Sequence, residues 1–361
     1  MGIVEQLRGR DLLCTQDWSM EEIETVLALA GRMKRDRFAP AFTSLLKHRT
    51  FFMLFYSPSL RTRQSFECAA TELGGHAQYL EPRMMRLKSG GSAGETIEDA
   101  AQVMSRYACG LGIRILEDQI STYGEGAALI REYARWASVP VISMADDRFH
   151  PCQGLADIMG LREHLGDLRG RKLLITWASG ALARSWCSVQ ETLLLASRMG
   201  MHITLAYPEG YDLDPEVIAW AEDNCLASAG SLDIIHDPYA GYTGAHIVYS
   251  RNWMSPQAYE AGQFQKQREI ERSLALSEWI CDAPRMARTD NALFIHPMPV
   301  DRGHEVTDEV ASGPRAIIYD IAENRLHVQK AVMALTMAEL PARAYPSSRQ
   351  RALGNLPSRP F

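Results

Sequence analysis

Strand-length apolar runs alternate with helix-like stretches along the whole chain, and that alternation narrows the possible folds more than any other feature. The runs fall at residues 51–56, 112–116 and 139–144, then at 173–177, 203–207, 233–236, 247–250, 293–296 and 317–321. Helical spacing separates several of them, as at 189–199 and 215–225. An early helix is marked by Ser19-Met20-Glu21-Glu22, a capping box in which a hydroxyl and a carboxylate each satisfy an orphan backbone N–H. Ile23, Val26, Leu27, Ala30 and Met33 follow as one apolar stripe. Strands that alternate with helices imply parallel sheet, because parallel neighbours need a crossover between them. The 361 residues exceed one core and suit two domains of roughly 150 residues each. The predicted fold is α/β, with two doubly wound parallel-sheet domains joined by helices. The first is expected over residues 1–149, completed by a C-terminal helix at 323–341. The second is expected over 150–322, and 342–361 reads as a flexible tail.

Composition removes several function classes. A formal charge of −6 supplies no basic field, so nucleic acid is not an expected partner. No apolar run reaches membrane-spanning length, so no membrane role is expected. The first ten residues include Glu5 and lack an apolar signal core, which points to the cytoplasm. Seven cysteines, an odd number without CxxC spacing, argue for reduced thiols rather than a disulfide framework or a zinc site. Nothing in the residue pattern demands a metal or an organic cofactor.

The chemistry concentrates in a few segments. Ser59-Leu60-Arg61-Thr62-Arg63 follows a strand-like run and precedes a helix. Backbone N–H groups at a helix start, reinforced by the helix dipole, favour an anion. A guanidinium adds paired donors for phosphate, and hydroxyls add more. On physical grounds this is a phosphate-site candidate.

With Gln64-Ser65-Phe66-Glu67 behind it, that segment resembles the phosphate-binding motif of the aspartate/ornithine carbamoyltransferase superfamily. Arg114, closing Leu111-Gly112-Ile113-Arg114, sits where that family has a second carbamoyl phosphate arginine. His150-Pro151-Cys152-Gln153 is similar to its His-Pro-x-Gln motif, and His296-Pro297-Met298-Pro299 to its His-Cys-Leu-Pro segment. Glu323-Asn324-Arg325-Leu326-His327 resembles the last carbamoyl phosphate element. The segments keep the family's order over nearly the whole chain.

The resemblance implies a reaction: transfer of a carbamoyl group from carbamoyl phosphate to a primary amine. Ser59, Leu60, Arg61 and Thr62 are expected to hold the phosphate. Thr62, Arg114 and His150 are the expected catalytic donors to the carbonyl oxygen, which gains charge as the amine attacks. Gln153 and the backbone carbonyls near Pro297 and Met298 are expected to accept from the carbamoyl NH₂, and Arg325 to complete the clamp. The family further implies a homotrimer with sites at subunit interfaces, completed by the basic, glycine-rich loop at 81–95 that carries Arg86 and Lys88.

The acceptor half departs from the ordinary ornithine enzymes. Residues 178–200 match the length of the N-acetylornithine and N-succinylornithine branch, where the corresponding segment forms part of a trefoil knot. Residues 178–188 keep that length without its prolines. Ser250-Arg251-Asn252-Trp253 puts a cation where ornithine enzymes carry an Asp for the ammonium group, and a cation suits a carboxylate or carbonyl. Trp177, Gln190, Glu191, Arg251 and Trp253 are therefore the expected acceptor-binding residues. The altered half suggests a non-standard amine, such as a 2,3-diaminopropionyl group in a tuberactinomycin-type (viomycin/capreomycin) peptide antibiotic, with N-acylornithine or ornithine as the alternative.

Two other classes compete. A dinucleotide-binding oxidoreductase requires G-x-G-x-x-G after a strand, and residues 177–182 offer only Gly180. A non-catalytic carbamoyl phosphate-binding relative should lose oxyanion donors first, yet Arg61, Thr62, Arg114, His150, Gln153 and Arg325 are all present.

Overall fold

A computed structural model of the chain describes residues 2–85 and 94–340. The expected interface loop residues Arg86 and Lys88, and the tail at 342–361, lie outside the described residues. The chain divides into two compact units. One runs to Ala156 and resumes at Glu323, and the other spans Asp157–Ala322.

The first unit is built on a parallel four-stranded sheet: β1 Thr50–Phe55, β2 His76–Leu80, β3 Gly110–Arg114 and β4 Val141–Ala145, in the order β2-β1-β3-β4. β1 buries Phe51, Met53, Leu54 and Phe55. Each such side chain contributes about 1.5–3 kcal/mol of transfer free energy when fully buried. Gly112 in β3 is required by close approach. A Cβ there would lie 2.7 Å from the Phe51 ring and 2.9 Å from the Met144 sulfur.

The helix Leu60–Glu72 starts directly after Ser59, whose hydroxyl accepts the Thr62 N–H at 3.3 Å. Its buried residues Thr62, Phe66, Ala69 and Ala70 share one helical face. Gly74, at φ +84°, ends it where a Cβ would meet the Thr43 carbonyl oxygen at 2.4 Å. The capping box at Ser19 is present, with reciprocal bonds of 3.3 and 2.7 Å to Glu22.

The second unit carries β5 Lys172–Trp177, β6 His202–Ala206, β7 Ser231–Ile235, β8 Ile247–Arg251, the short antiparallel pair β9 Tyr259–Glu260 and β10 Gln263–Phe264, and β11 Leu293–Ile295. Its main sheet is parallel in the order β11-β8-β5-β6-β7.

Both sheets reverse direction of growth once. In the first unit the chain moves outward from β1 to β2, then returns to add β3 on the other side of β1. In the second it grows from β5 through β6 to β7, then returns to add β8 beside β5. The crevice outside the carboxyl ends at such a switch is where open α/β sheets bind ligands.

One predicted strand is a helix. Residues 317–321 read as a strand, but only an isolated bridge forms there, Phe294 to Ala316, and a helix runs Ile318–Met337. A short apolar run cannot by itself separate a buried strand from a buried helix turn. That helix therefore begins before residue 323 and ends before 341, the limits expected from the sequence. The strand β2 escaped prediction because it is a half-exposed edge strand without an apolar run.

Among the described residues, no helix is long and apolar enough to cross a membrane.

Candidate active site

In the first unit, the expected phosphate residues stand at the carboxyl ends of β1, β3 and β4. Arg61 and Thr62 occupy the first turn of the helix that leaves β1, and Ser59 is its N-cap. Arg114 is the last residue of β3. Its carbonyl accepts the Tyr56 N–H at 2.9 Å and the Ser57 N–H at 3.4 Å, which locks the β1 exit against β3. Ser57 answers with its hydroxyl, which accepts the Leu116 N–H at 2.9 Å. The switch between β1 and β3 is thus tied across on both sides.

His150 follows β4 and opens the helix Pro151–Leu165, its carbonyl accepting the Gln153 and Gly154 N–H groups at 2.8 and 3.2 Å. Arg325, on the C-terminal helix, is 4% exposed. Its guanidinium donates to Gln153 Oε1 at 2.8 Å and to Thr62 Oγ1 at 3.3 Å. One buried cation therefore joins three segments separated by up to 263 positions in sequence. Leu60 is 70% exposed, so only its backbone belongs to this arrangement. Arg63 turns outward to Glu67, at 2.9 Å, and to the Tyr79 ring.

Two of the acceptor candidates meet at the second switch point, where Trp177 at the end of β5 is in register with Arg251 at the end of β8. Both tryptophans are buried, and both indole N–H groups are bonded. Trp177 donates its indole N–H to the Trp253 carbonyl and Trp253 to the Tyr211 carbonyl, each at 2.8 Å, and Trp177 lies 4.6 Å from the Tyr211 ring. Gln190 and Glu191 are fully buried on the helix Cys187–Arg198, and Gln190 Oε1 accepts the Asp214 N–H at 3.1 Å.

Glu305 organises this end of the sheet, a role that sequence reading missed. It has no exposure. One carboxylate oxygen accepts from Arg251 Nη1 at 3.2 Å and from the Asn252 N–H at 2.8 Å. The other faces His296 Nε2 at 3.1 Å and accepts the Asp301 N–H at 2.8 Å. His296 Nδ1 accepts the Met298 N–H at 2.8 Å, so the ring proton sits on Nε2 and is donated to Glu305. Burial holds the His296 pKa below its ordinary value, which keeps the ring neutral. Burial opposes ionisation of Glu305, but the His296 N–H and the Arg251 and Arg184 guanidiniums outweigh it, and the carboxyl is held well below the usual range.

The segment after His296 is fixed as firmly. Met298 adopts a left-handed φ of +57°, which is costly for a side chain with a Cβ. Arg184 Nη2 donates to the Pro299 carbonyl at 3.0 Å, and Asp301 Oδ2 accepts the Ala181 N–H at 2.7 Å. The backbone around Pro297 and Met298 is therefore braced from both sides. His296 acts on this backbone through Met298. In the sequence Glu305 stands in Glu305-Val306-Thr307-Asp308, which resembles the family's continuation of the His296 segment but names no role for the acid.

Comparison with known proteins gives the family. Residues 10–163 match the family model described as aspartate/ornithine carbamoyltransferase, carbamoyl-P binding domain, and residues 177–336 match its Asp/Orn binding domain. The ornithine carbamoyltransferase of Pyrococcus abyssi is 38% identical over 335 residues, covering 93% of this chain and 98% of that protein. The N-acetylornithine carbamoyltransferase of Xanthomonas axonopodis pv. citri is 36% identical, covering 90% and 96%. A crystal structure of acetylornithine transcarbamylase complexed with acetylcitrulline superposes with a TM-score of 0.84 at 35% identity, covering 91% of this chain and all of that one. Two parallel-sheet units, each with polar residues gathered at its switch point, and matches to both family models make this chain a member of the aspartate/ornithine carbamoyltransferase family, a carbamoyltransferase of the ornithine/N-acetylornithine type.

Proposed function

We propose that the chain transfers the carbamoyl group of carbamoyl phosphate to the side-chain amine of an ornithine-type acceptor, free or N-acylated, releasing phosphate. The observation that carries this reading is the Arg325 bridge to Thr62 and Gln153. It gathers the phosphate motif, the His-Pro-x-Gln helix and the C-terminal helix around one buried positive charge.

In this mechanism the Ser59–Thr62 helix start and Arg61 hold the phosphate dianion. Arg114, His150 and Thr62 direct donors at the carbonyl oxygen. The amine lone pair forms a C–N bond to the carbonyl carbon, and the C–O bond to phosphate breaks with its electron pair. The departing phosphate takes the amine proton, so no side-chain base is assigned. Positioning and charge stabilisation supply the rate.

Arg251 sets the acceptor's chemistry. It is 7% exposed, and Glu305 holds one of its nitrogens. Its Nε makes no hydrogen bond among the described residues. A cation so placed favours an acceptor with a carboxylate or acyl carbonyl over one that presents only an ammonium group. The relatives favour ornithine or N-acetylornithine within that class. A second reading, a 2,3-diaminopropionyl amine within a peptide natural product, is favoured by the same Arg251, because such an acceptor presents peptide carbonyls. A homotrimer belongs to the proposal as well, and sedimentation equilibrium tests it.

The deciding assay detects ureido products from carbamoyl phosphate with ornithine, N-acetylornithine, N-succinylornithine, putrescine, lysine, 2,3-diaminopropionate and a diaminopropionyl peptide. Turnover is expected with ornithine or an N-acylornithine. No product from any amine, with no calorimetric binding of carbamoyl phosphate, would sink the proposal. Arg251→Ala is expected to raise the acceptor KM by about tenfold or more, the scale of one lost charge-assisted hydrogen bond, and to leave carbamoyl phosphate affinity unchanged. An equal loss for both substrates would contradict this division of the site.

A further inference from the structure

We propose that Asp146 is a positioning residue for His150, and that ionisation of its carboxyl tightens the turn that delivers the histidine. The inference rests on the proposed role of His150 at the carbamoyl carbonyl.

Asp146 is 2% exposed and lies just beyond β4. One carboxyl oxygen accepts the Arg148 N–H at 2.9 Å and the Phe149 N–H at 2.7 Å. The other accepts the Ser143 hydroxyl at 2.8 Å. The Asp146 N–H donates to the Phe149 carbonyl at 2.9 Å. Ser143 is itself tied into the fold, its N–H donating to the Leu12 carbonyl at 2.9 Å. A single side chain thus closes residues 146–149 into a turn and fastens it to β4. The next residue is His150. Its backbone is held by the turn on one side and by the helix Pro151–Leu165 on the other, so the direction of its ring depends on both.

Among the described residues, the Asp146 carboxyl is held by the Ser143 hydroxyl and two backbone N–H groups and makes no ion pair. Asp147 adds like charge, and its carboxylate accepts the Gly124 and Ala127 N–H groups at the start of the helix Glu125–Trp136. The Arg148 guanidinium lies over the Tyr123 and Phe149 rings. β4 contributes the Ser143 hydroxyl. Asp11, from the preceding segment, accepts the Val141 N–H at the far end of β4. Burial, then Asp147, push the Asp146 pKa up to about 7, against the Phe149, Ser143 and Arg148 bonds that favour the charged form.

The two protonation states hold the turn differently. The carboxylate accepts three bonds, all charge-assisted. The neutral acid must donate its proton to Ser143, and its two backbone bonds lose that assistance. The ionised form is therefore the firmer anchor, and misplacement of a catalytic group by about 1 Å can cost 10²-fold in rate.

The test compares the full-length protein with Asp146→Asn and Ser143→Ala. Wild-type kcat is expected to rise with one ionisation near pH 7. Asp146→Asn mimics the neutral acid, so its kcat should stay flat through that window, about ten- to a hundred-fold below wild type at pH 8. Ser143→Ala removes a donor to the charged form and should move the ionisation to higher pH. A readout independent of turnover is hydrogen–deuterium exchange over residues 143–153, where Asp146→Asn should exchange several-fold faster than wild type at the same pD. Identical exchange overturns the inference whatever the activity, and so does a wild-type pH profile in Asp146→Asn. A wild-type protein that binds no carbamoyl phosphate counts against the proposed function, and the exchange experiment then decides this inference alone.

Discussion

Arg114→Ala and His150→Ala are each expected to lower kcat by about 10²–10³-fold, the usual cost of one lost donor to a developing oxyanion. The expectation comes from where the charge goes. Carbamoyl phosphate already carries its dianionic charge when it binds, so the donors around the phosphate act in the ground state as well. The carbonyl oxygen becomes strongly negative only as the amine attacks, so donors aimed there act chiefly in the transition state. Arg114 is held for such a task by its strand end, where its carbonyl ties down Tyr56 and Ser57. Steady-state kinetics with saturating carbamoyl phosphate, together with calorimetry, separate the roles. Arg61→Ala should instead abolish measurable carbamoyl phosphate binding. If Arg114→Ala lost binding and kept kcat, its assignment to the carbonyl would be wrong.

Glu305→Gln is expected to destabilise the protein by about 3–5 kcal/mol at pH 7, the range for breaking a buried ion pair by removing one charge. Four donors converge on this carboxylate, from Arg251, Asn252, His296 and Asp301. A carboxamide has one oxygen and must turn its NH₂ toward two of them, leaving donor facing donor. The pH dependence follows from the direction of the Glu305 pKa. The folded value lies below the ordinary 4.5, so the stabilisation is fully present above about pH 4.5 and is lost as pH falls toward the folded value. The gap between wild type and Glu305→Gln should therefore be widest near neutrality and narrow under acid. Urea unfolding at pH 7 and at about pH 3, well inside that window, measures it. A gap independent of pH would show that shape, not charge, is what Glu305 supplies. The surviving protein should also show a raised acceptor KM, because Arg251 loses its anchor.

The proposed phosphate half could be nominated from the sequence because it is nearly local. Ser59, Arg61 and Thr62 sit at one helix start, where a capping hydroxyl, backbone N–H groups and an arginine can meet a single anion. The proposed acceptor half draws on residues far apart in the sequence. Trp177 and Trp253, expected among the acceptor residues, each donate the indole N–H to a neighbouring carbonyl inside the packed interior, a contact that only the fold supplies. The strand expected at 317–321 is a helix, a choice that short-range pattern left open. Three isoleucines within five residues fit a buried strand, and only what packs against them makes that segment the start of a helix.

The sequence by itself determined the α/β class, the parallel sheets and the carbamoyl phosphate motif, because each is written in short-range periodicity or in adjacent residues. The tertiary structure alone decided which charges meet. Arg325 reaches Thr62 and Gln153 across hundreds of positions, Glu305 gathers the ends of β8 and β11, and Asp146 is sealed from solvent at the turn before His150. Burial and partnership set the ionisation of such groups, and both arise only when distant segments are brought into contact by the core.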